Sequence, residues 1–253
     1  MVVKNINDNS CCLVKLMRLK LTLMPLNRGF SRPNKHAIQG FIYNMLKGTE
    51  YEERHDQPRF KFFTFSDFFL DKEGRPTFIV SSPEEGFINA LYSAIKERES
   101  IHIGKDEYQV VELKKFKLPL RRTFQTGSPV VLYRNASKNE YFKFHAHRDL
   151  HFFLDRLKEN AEKKYSAFYG EELSLEGPLF DRMVPKLRPN GKIDVYVKVV
   201  KNGVPFPVIG SNWELLEKER IRPEERRFYR FLMDVGLGEK NSLGFGFINP
   251  IRG

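Results

Sequence analysis

Four glycines near the end of the chain, Gly236, Gly238, Gly244 and Gly246, stand in the run Val-Gly-Leu-Gly-Glu-Lys-Asn-Ser-Leu-Gly-Phe-Gly-Phe-Ile. Glycine lacks the Cβ that keeps a backbone away from a ligand, so peptide N–H groups here can approach phosphate or base edges closely. Lys240, Asn241 and Ser242 at the centre add a charge and short polar side chains. The order of elements decides the ligand class. A nucleotide-cofactor fingerprint needs glycines after a strand and before a helix, where pyrophosphate meets the helix N-terminus. In this chain a helix spanning Glu224 to Val235 comes first, Gly236 takes its C-terminal cap position, and the glycines lead into Phe245, Phe247 and Ile248. Proton-transfer chemistry falls to the histidines. A histidine titrates near neutrality, with an unperturbed pKa of about 6.5, and serves as general acid or base. His55 lies in the polar stretch Gly48 to Pro58, where there is no core for it to fill, six positions before Lys61. A lysine in that setting acts as a point charge for a developing anion. His145, His147 and His151 suggest a metal, but no Glu follows His147 and no carboxylate or cysteine spacing completes a set. They read instead as capping or phosphate-touching groups, and no metal or cofactor is expected. A Walker lysine, a hydrolase serine elbow and a paired-carboxylate nuclease motif are also missing.

The stretch Gly236 to Ile248 closely resembles the C-terminal signature of the CRISPR-associated endoribonucleases that cut repeat RNA into guide RNAs, within the RAMP superfamily. In the first half, Gln39-Gly40-Phe41-Ile42-Tyr43-Asn44 resembles the first helix of that family, and Phe62-Phe63-Thr64-Phe65-Ser66 resembles the strand that follows. The resemblance implies Tyr43, His55 and Lys61 as catalytic residues and Gly236, Gly238, Lys240, Asn241, Ser242, Gly244 and Gly246 as RNA-binding residues. Helical spacing is compatible with this. Tyr43 lies off the Ile38/Phe41/Ile42/Met45/Leu46 stripe and shares a face with His36, Gly40 and Lys47. His36 is therefore the rival to His55 as acid or base. RNA supplies its own nucleophile, the 2′-hydroxyl beside the scissile phosphate, so the protein needs only proton transfer and charge stabilisation. Tyr43 would orient or deprotonate that hydroxyl, His55 would protonate the leaving 5′-oxygen, and Lys61 would stabilise the phosphate, leaving 2′,3′-cyclic phosphate and 5′-hydroxyl ends. The implied partner is CRISPR precursor RNA through its repeat, with effector-complex subunits or a second copy of the chain as further partners. Some members of the family have lost cleavage, so the alternative is a non-catalytic repeat-RNA-binding subunit of a CRISPR effector complex.

Composition agrees with a polyanionic partner. The 253 residues carry 43 Lys+Arg against 32 Asp+Glu, a net charge of +11, which attracts nucleic acid at long range. Basic groups at Lys114/Lys115/Lys117/Arg121/Arg122, Lys186/Arg188/Lys192 and Arg226/Arg227/Arg230 are candidates to line an RNA path. Cys11 and Cys12 are adjacent and have no other cysteine to complete a disulfide framework or a four-thiolate site, which points to a reducing cytoplasm. No apolar run reaches the roughly 18 residues of a membrane span, and residues 1–16 lack the layout of a secretory signal. Those residues are either a disordered extension or a segment ahead of a start at Met17.

The elements that must position these groups have the pattern of an α+β protein with two tandem ferredoxin-like (βαββαβ, RRM-like) domains, at 17–115 and 116–253. Leu19, Leu21 and Leu23 alternate with Arg18, Lys20 and Thr22 as in a half-buried strand. Asn34 caps a helix that ends at Gly48, and strands follow at Phe60 to Phe65 and Thr77 to Ser81. Ser82, Pro83 and Glu85 predict a capping box opening the second helix, and Ile101 to Ile103 and Tyr108 to Leu113 predict further strands. The second half is expected to hold strands near Val130 to Tyr133 and Tyr141 to Phe144, and a helix from Asp149 to Phe168. Strands at Leu179 to Leu187, Ile193 to Val200 and Pro205 to Ile209 complete it before the last helix and the glycine-rich loop.

Overall fold

The structure is a computed structural model and describes residues 17–27, 32–53 and 59–252. His55 and the extension 1–16 lie outside the described residues. The first half contains β1 (Met17–Pro25), α1 (Lys35–Met45), β2 (Thr64–Phe65), β3 (Phe69–Leu70), β4 (Pro76–Ser82), α2 (Glu85–Lys96), β5 (Ser100–Ile103) and β6 (Asp106–Phe116). The sheet runs β2-β4-β1-β6-β5, with β3 also pairing with β4, and all the pairings are antiparallel. Without the short β3 and the edge strand β5, the order β6-β1-β4-β2 is that of a ferredoxin-like unit. Leu19, Leu21 and Leu23 are fully buried against Ile38 and Ile42 of α1 and Ile88 and Leu91 of α2. Asn34 caps α1 as its residue type predicts, accepting from the Ala37 N–H at 3.1 Å. The second helix differs. Ser82 remains in β4, where its hydroxyl donates to the Phe62 carbonyl at 2.8 Å and accepts from the Glu84 N–H at 3.1 Å, so the helix begins only at Glu85.

The second half contains β7 (Thr123–Thr126), β8 (Tyr133–Asn135), β9 (Glu140–Tyr141), α3 (Phe144–His147), α4 (Leu150–Tyr169), β10 (Arg182–Pro185), β11 (Asp194–Lys201), β12 (Val204–Ser211), β13 (Trp213–Glu217), α5 (Arg226–Val235) and β14 (Ile248–Pro250). Its sheet, β10-β13-β7-β14, repeats the same topology, with β8–β9 and β11–β12 as added hairpins. The molecule thus has two ferredoxin-like folds in tandem, and the glycine-rich loop joins the last helix to the last strand of the second. Two strands of that sheet, β7 and β13, escape the sequence pattern. The expected strand at Val130 is reduced to single bridges from Val130 to Ser211 and from Val131 to Glu239.

The halves meet through the face of β1 opposite its leucines. Arg18, expected to face solvent, is 1% exposed. Its guanidinium pairs with Asp234 of α5 at 3.0 Å, donates to the Met233 and Ile248 carbonyls at 2.6 and 3.0 Å, and donates to Asn249 Oδ1 at 2.8 Å. Beside it, the Ser81 hydroxyl donates to the Asp234 carbonyl at 2.9 Å. The last helix and last strand of one unit are therefore locked onto the first sheet of the other, and this fixes the ends of the loop between them.

Candidate functional site

The loop leaves α5 at Gly236 and closes on itself. The Leu237 N–H donates to the Gly246 carbonyl at 2.8 Å, and Asn241 Nδ2 spans the interior to the carbonyls of Leu237 (2.9 Å) and Phe245 (3.0 Å). Gly236, Gly238, Gly244 and Gly246 all have φ between 63° and 85°, the left-handed region that side chains resist. They are also buried. A Cβ at Gly244 would enter the Phe65 ring, and one at Gly246 would overlap the Leu237 carbonyl. The N–H groups of Gly236, Gly244 and Gly246 donate inside the protein, to Leu232, Asn241 and Pro129 respectively. Those three amides shape the loop instead of pointing outward, and its more accessible part is Glu239, Lys240, Asn241 and Ser242. Gly246→Ala is accordingly expected to lower the unfolding free energy by at least about 1–2 kcal/mol, the cost of the left-handed backbone alone. Urea denaturation measures this, and an unchanged midpoint would show that the loop tolerates a side chain there.

Three elements hold the loop from outside. From α1, the buried Lys35 donates to the Gly244 carbonyl at 2.6 Å, pairs with Asp67, and lies 4.7 Å from the Phe245 ring centroid. Also from α1, Gln39 Nε2 donates to the Ser242 hydroxyl at 3.3 Å. From β2, the Thr64 hydroxyl donates to the Phe245 carbonyl at 2.9 Å. From α4, the Lys164 ammonium donates to the Gly236 and Gly238 carbonyls at 2.5 and 3.0 Å and to Asn241 Oδ1 at 3.0 Å. Burial pushes the Lys164 ammonium down to about 7, opposed in part by the nearby Glu239 carboxylate.

One cavity of about 170 Å³ opens between this loop and the segment entering β2. It is lined by Arg59, Phe60, Lys61 and Phe62 on one side and by Gly238, Glu239, Lys240, Asn241 and Ser242 on the other, with Lys164 and Val235 completing the wall. Lys61, from the first half of the sequence, therefore faces the polar centre of the glycine-rich loop. Among the described residues Glu239 is the one acidic lining group, and its carboxylate is engaged by Arg156 at 2.8 Å and by the Tyr133 N–H at 2.7 Å. The remaining charges are positive, so the cavity suits an anion. Tyr43 is half-buried on α1 and packs edge-on against Phe63, 5.7 Å between centroids, two residues beyond Lys61. It does not line the cavity itself. His36 shares its helix face, with Gln39 between them reaching the loop.

Arg59, Gln39 and Lys164 are contributors that the sequence reading misses. A signal for Lys164 exists in the file Arg156, Asn160, Lys164, spaced four apart beside the core positions Leu157 and Ala161. Two of the three clustered histidines serve local structure: His145 pairs with Asp194, and His147 Nδ1 accepts from the Lys143 N–H at 3.0 Å. Among the described residues, no group of three or more His, Cys, Asp or Glu side chains is placed to hold a metal ion, and no helix is long and apolar enough to cross a membrane.

Residues 111–250 match the family model described as CRISPR associated protein Cas6, C-terminal. The chain is 53% identical over 242 residues, 93% of its length and 100% of the relative's, to CRISPR-associated endoribonuclease Cas6 2 of Methanocaldococcus jannaschii. A solved structure described as CRISPR associated protein Cas6 superposes with a TM-score of 0.66 at 23% identity, covering 94% of this chain and 100% of that one. A second, described as an RAMP protein binding different RNA substrates, gives a TM-score of 0.67 at 21% identity over 93% of this chain and 100% of that one. The chain belongs to the Cas6 family of CRISPR-associated proteins.

Proposed function

We propose that this protein is a metal-independent endoribonuclease of the cytoplasm that cleaves CRISPR precursor RNA within its repeats to generate guide RNAs. The observation that carries this reading is the cationic cavity in which Lys61 meets Lys240, Asn241 and Ser242 of the glycine-rich loop. A phosphodiester placed there has ammonium groups on both sides to stabilise the extra negative charge of the transition state. The 2′-oxygen, oriented or deprotonated by Tyr43, attacks the adjacent phosphorus as the bond from phosphorus to the 5′-oxygen breaks. His55, four residues before the cavity-lining Arg59, supplies a proton to the departing 5′-oxygen. The products are a 2′,3′-cyclic phosphate and a 5′-hydroxyl. Lys240, Asn241, Ser242 and the cavity-lining Gly238 contact the RNA, while Gly236, Gly244 and Gly246 act by giving the loop its shape.

Incubated with its cognate repeat RNA in excess EDTA, the protein is expected to cut once per repeat and to leave those ends. A single 2′-deoxynucleotide at the cut site should abolish cutting and leave binding intact. RNA that is bound but never cut would favour a non-catalytic repeat-binding subunit of an effector complex, and a requirement for divalent metal would contradict the mechanism.

A further inference from the structure

Lys164 has no part in the reaction as written, yet it is among the most completely enclosed charged groups of the protein, at 1% exposure. Its three ammonium protons meet three oxygens, two from loop carbonyls and one from Asn241, at 2.5 to 3.0 Å. Those acceptors lie 72 to 77 residues away in sequence, so one side chain ties α4 to the first arm and the centre of the loop. Among the described residues, no carboxylate is paired with it. The charges facing it are Arg59 and Lys61 from the segment before β2, Lys240 and Glu239 from the loop, and Arg156 from its own helix; α5 presents only Val235. The ammonium therefore sits in the wall of a cavity where cations outnumber anions.

We propose that Lys164 is a positioning residue that fixes the glycine-rich loop against the cavity and takes up a proton when a phosphodiester enters. Burial lowers the affinity of this amine for its proton to a pKa of about 7, so near neutrality part of the free protein carries it uncharged. A neutral amine has two N–H groups for three acceptors, and the loop is held less completely. A phosphate in the cavity brings the missing negative charge, which raises the pKa of a lysine and restores the third donor. Binding then draws a proton from solution and tightens the loop that presents Lys240 and Ser242. The proposal rests on the reading that this cavity receives RNA phosphate.

The test is calorimetry of binding to repeat RNA carrying a 2′-deoxynucleotide at the cut site, at about pH 8 in two buffers of different ionisation heat. Imidazoles are largely neutral there, and using His55→Ala protein removes the histidine nearest the cut. The expected result is uptake on the order of half a proton per RNA bound, falling to none near pH 5.5, where Lys164 is already charged. Lys164→Met in the same background is expected to remove the uptake and weaken binding roughly tenfold, as loss of one charge-assisted contact implies. Uptake that persists in Lys164→Met overturns the proposal. If that variant does not fold, the His55→Ala protein alone decides, because binding without uptake at pH 8 overturns it equally. RNA that does not bind at all sinks the reading of the cavity, and this proposal with it.

Discussion

Substitution of His55 by alanine is expected to slow cleavage of the repeat by roughly 10²–10⁴-fold, the usual contribution of a positioned general acid or base, while binding of uncleaved RNA stays within a few-fold of the parent protein. The split follows from the division of labour across the cavity. In the proposed mechanism affinity comes from the cavity-lining cations Lys61, Lys240 and Arg59 and from the shaped loop, whereas the leaving 5′-oxygen needs a proton at neutral pH that neither lysine nor arginine releases easily. Single-turnover cleavage and filter binding on the same preparation separate the two quantities. Full activity in His55→Ala would move the acid to His36, which shares the α1 face with Tyr43, and His36→Ala would then carry the loss.

The second large effect concerns stability. Arg18→Met is expected to destabilise the protein by about 3–5 kcal/mol, as removal of one member of a buried ion pair leaves the other charge uncompensated. Arg18 and Asp234 are both nearly inaccessible, Asp234 Oδ2 has no hydrogen-bond partner among the described residues, and the guanidinium also satisfies the carbonyls of Met233 and Ile248. Burial already outweighs the attraction of Arg18 and pushes the Asp234 carboxyl up to about 6. Loss of the guanidinium pushes it further. A carboxyl whose folded pKa lies above its unfolded value favours the folded state progressively as pH falls through that interval. Both proteins share the unfolded carboxyl, so the deficit of Arg18→Met should shrink as pH falls from the variant's higher folded pKa toward the parent's value of about 6 and stay constant below it, as read by urea denaturation between about pH 8 and pH 5. A deficit that grows on acidification would show that Asp234 is held ionised by groups other than Arg18. The lesion should also reach function, since Met233 and Ile248 flank the two ends of the glycine-rich loop.

The architecture is legible wherever periodicity and caps coincide. Leu19, Leu21 and Leu23 assign a buried face to β1, Asn34 opens α1, and the succession of helix, glycines and strand places the loop correctly. β7 and β13 are missed because four or five residues, with one apolar side chain in β7 and three non-alternating ones in β13, carry no clear period, and their neighbours in the sheet define them. Ser82 has the residue types of a capping box, but the carbonyl of Phe62 takes its hydroxyl and keeps it in β4. Arg18 looks solvated because alternation assigns the two faces of a strand and says nothing of a second domain covering the polar one. The candidate site is legible in its parts and not in its assembly. Lys61 and Lys240 are visible as charges, yet only the tandem fold brings them to one cavity. The glycines permit either close approach to a ligand or close packing, and the Phe65 ring and Leu237 carbonyl at Gly244 and Gly246 show how completely packing claims those two positions. Lys164 reads as one more lysine on an exposed helix until carbonyls from a distant loop surround it.

The central claim is that the scissile phosphate lies between Lys61 and the glycine-rich loop. The measurement that tests it most directly is a crystal structure of the His55→Ala protein with intact repeat RNA. The scissile phosphate is expected in the cavity lined by Lys61, Lys240 and Ser242, with its 2′-hydroxyl turned toward Tyr43. A scissile phosphate bound elsewhere, with this cavity holding no part of the RNA, would contradict the account.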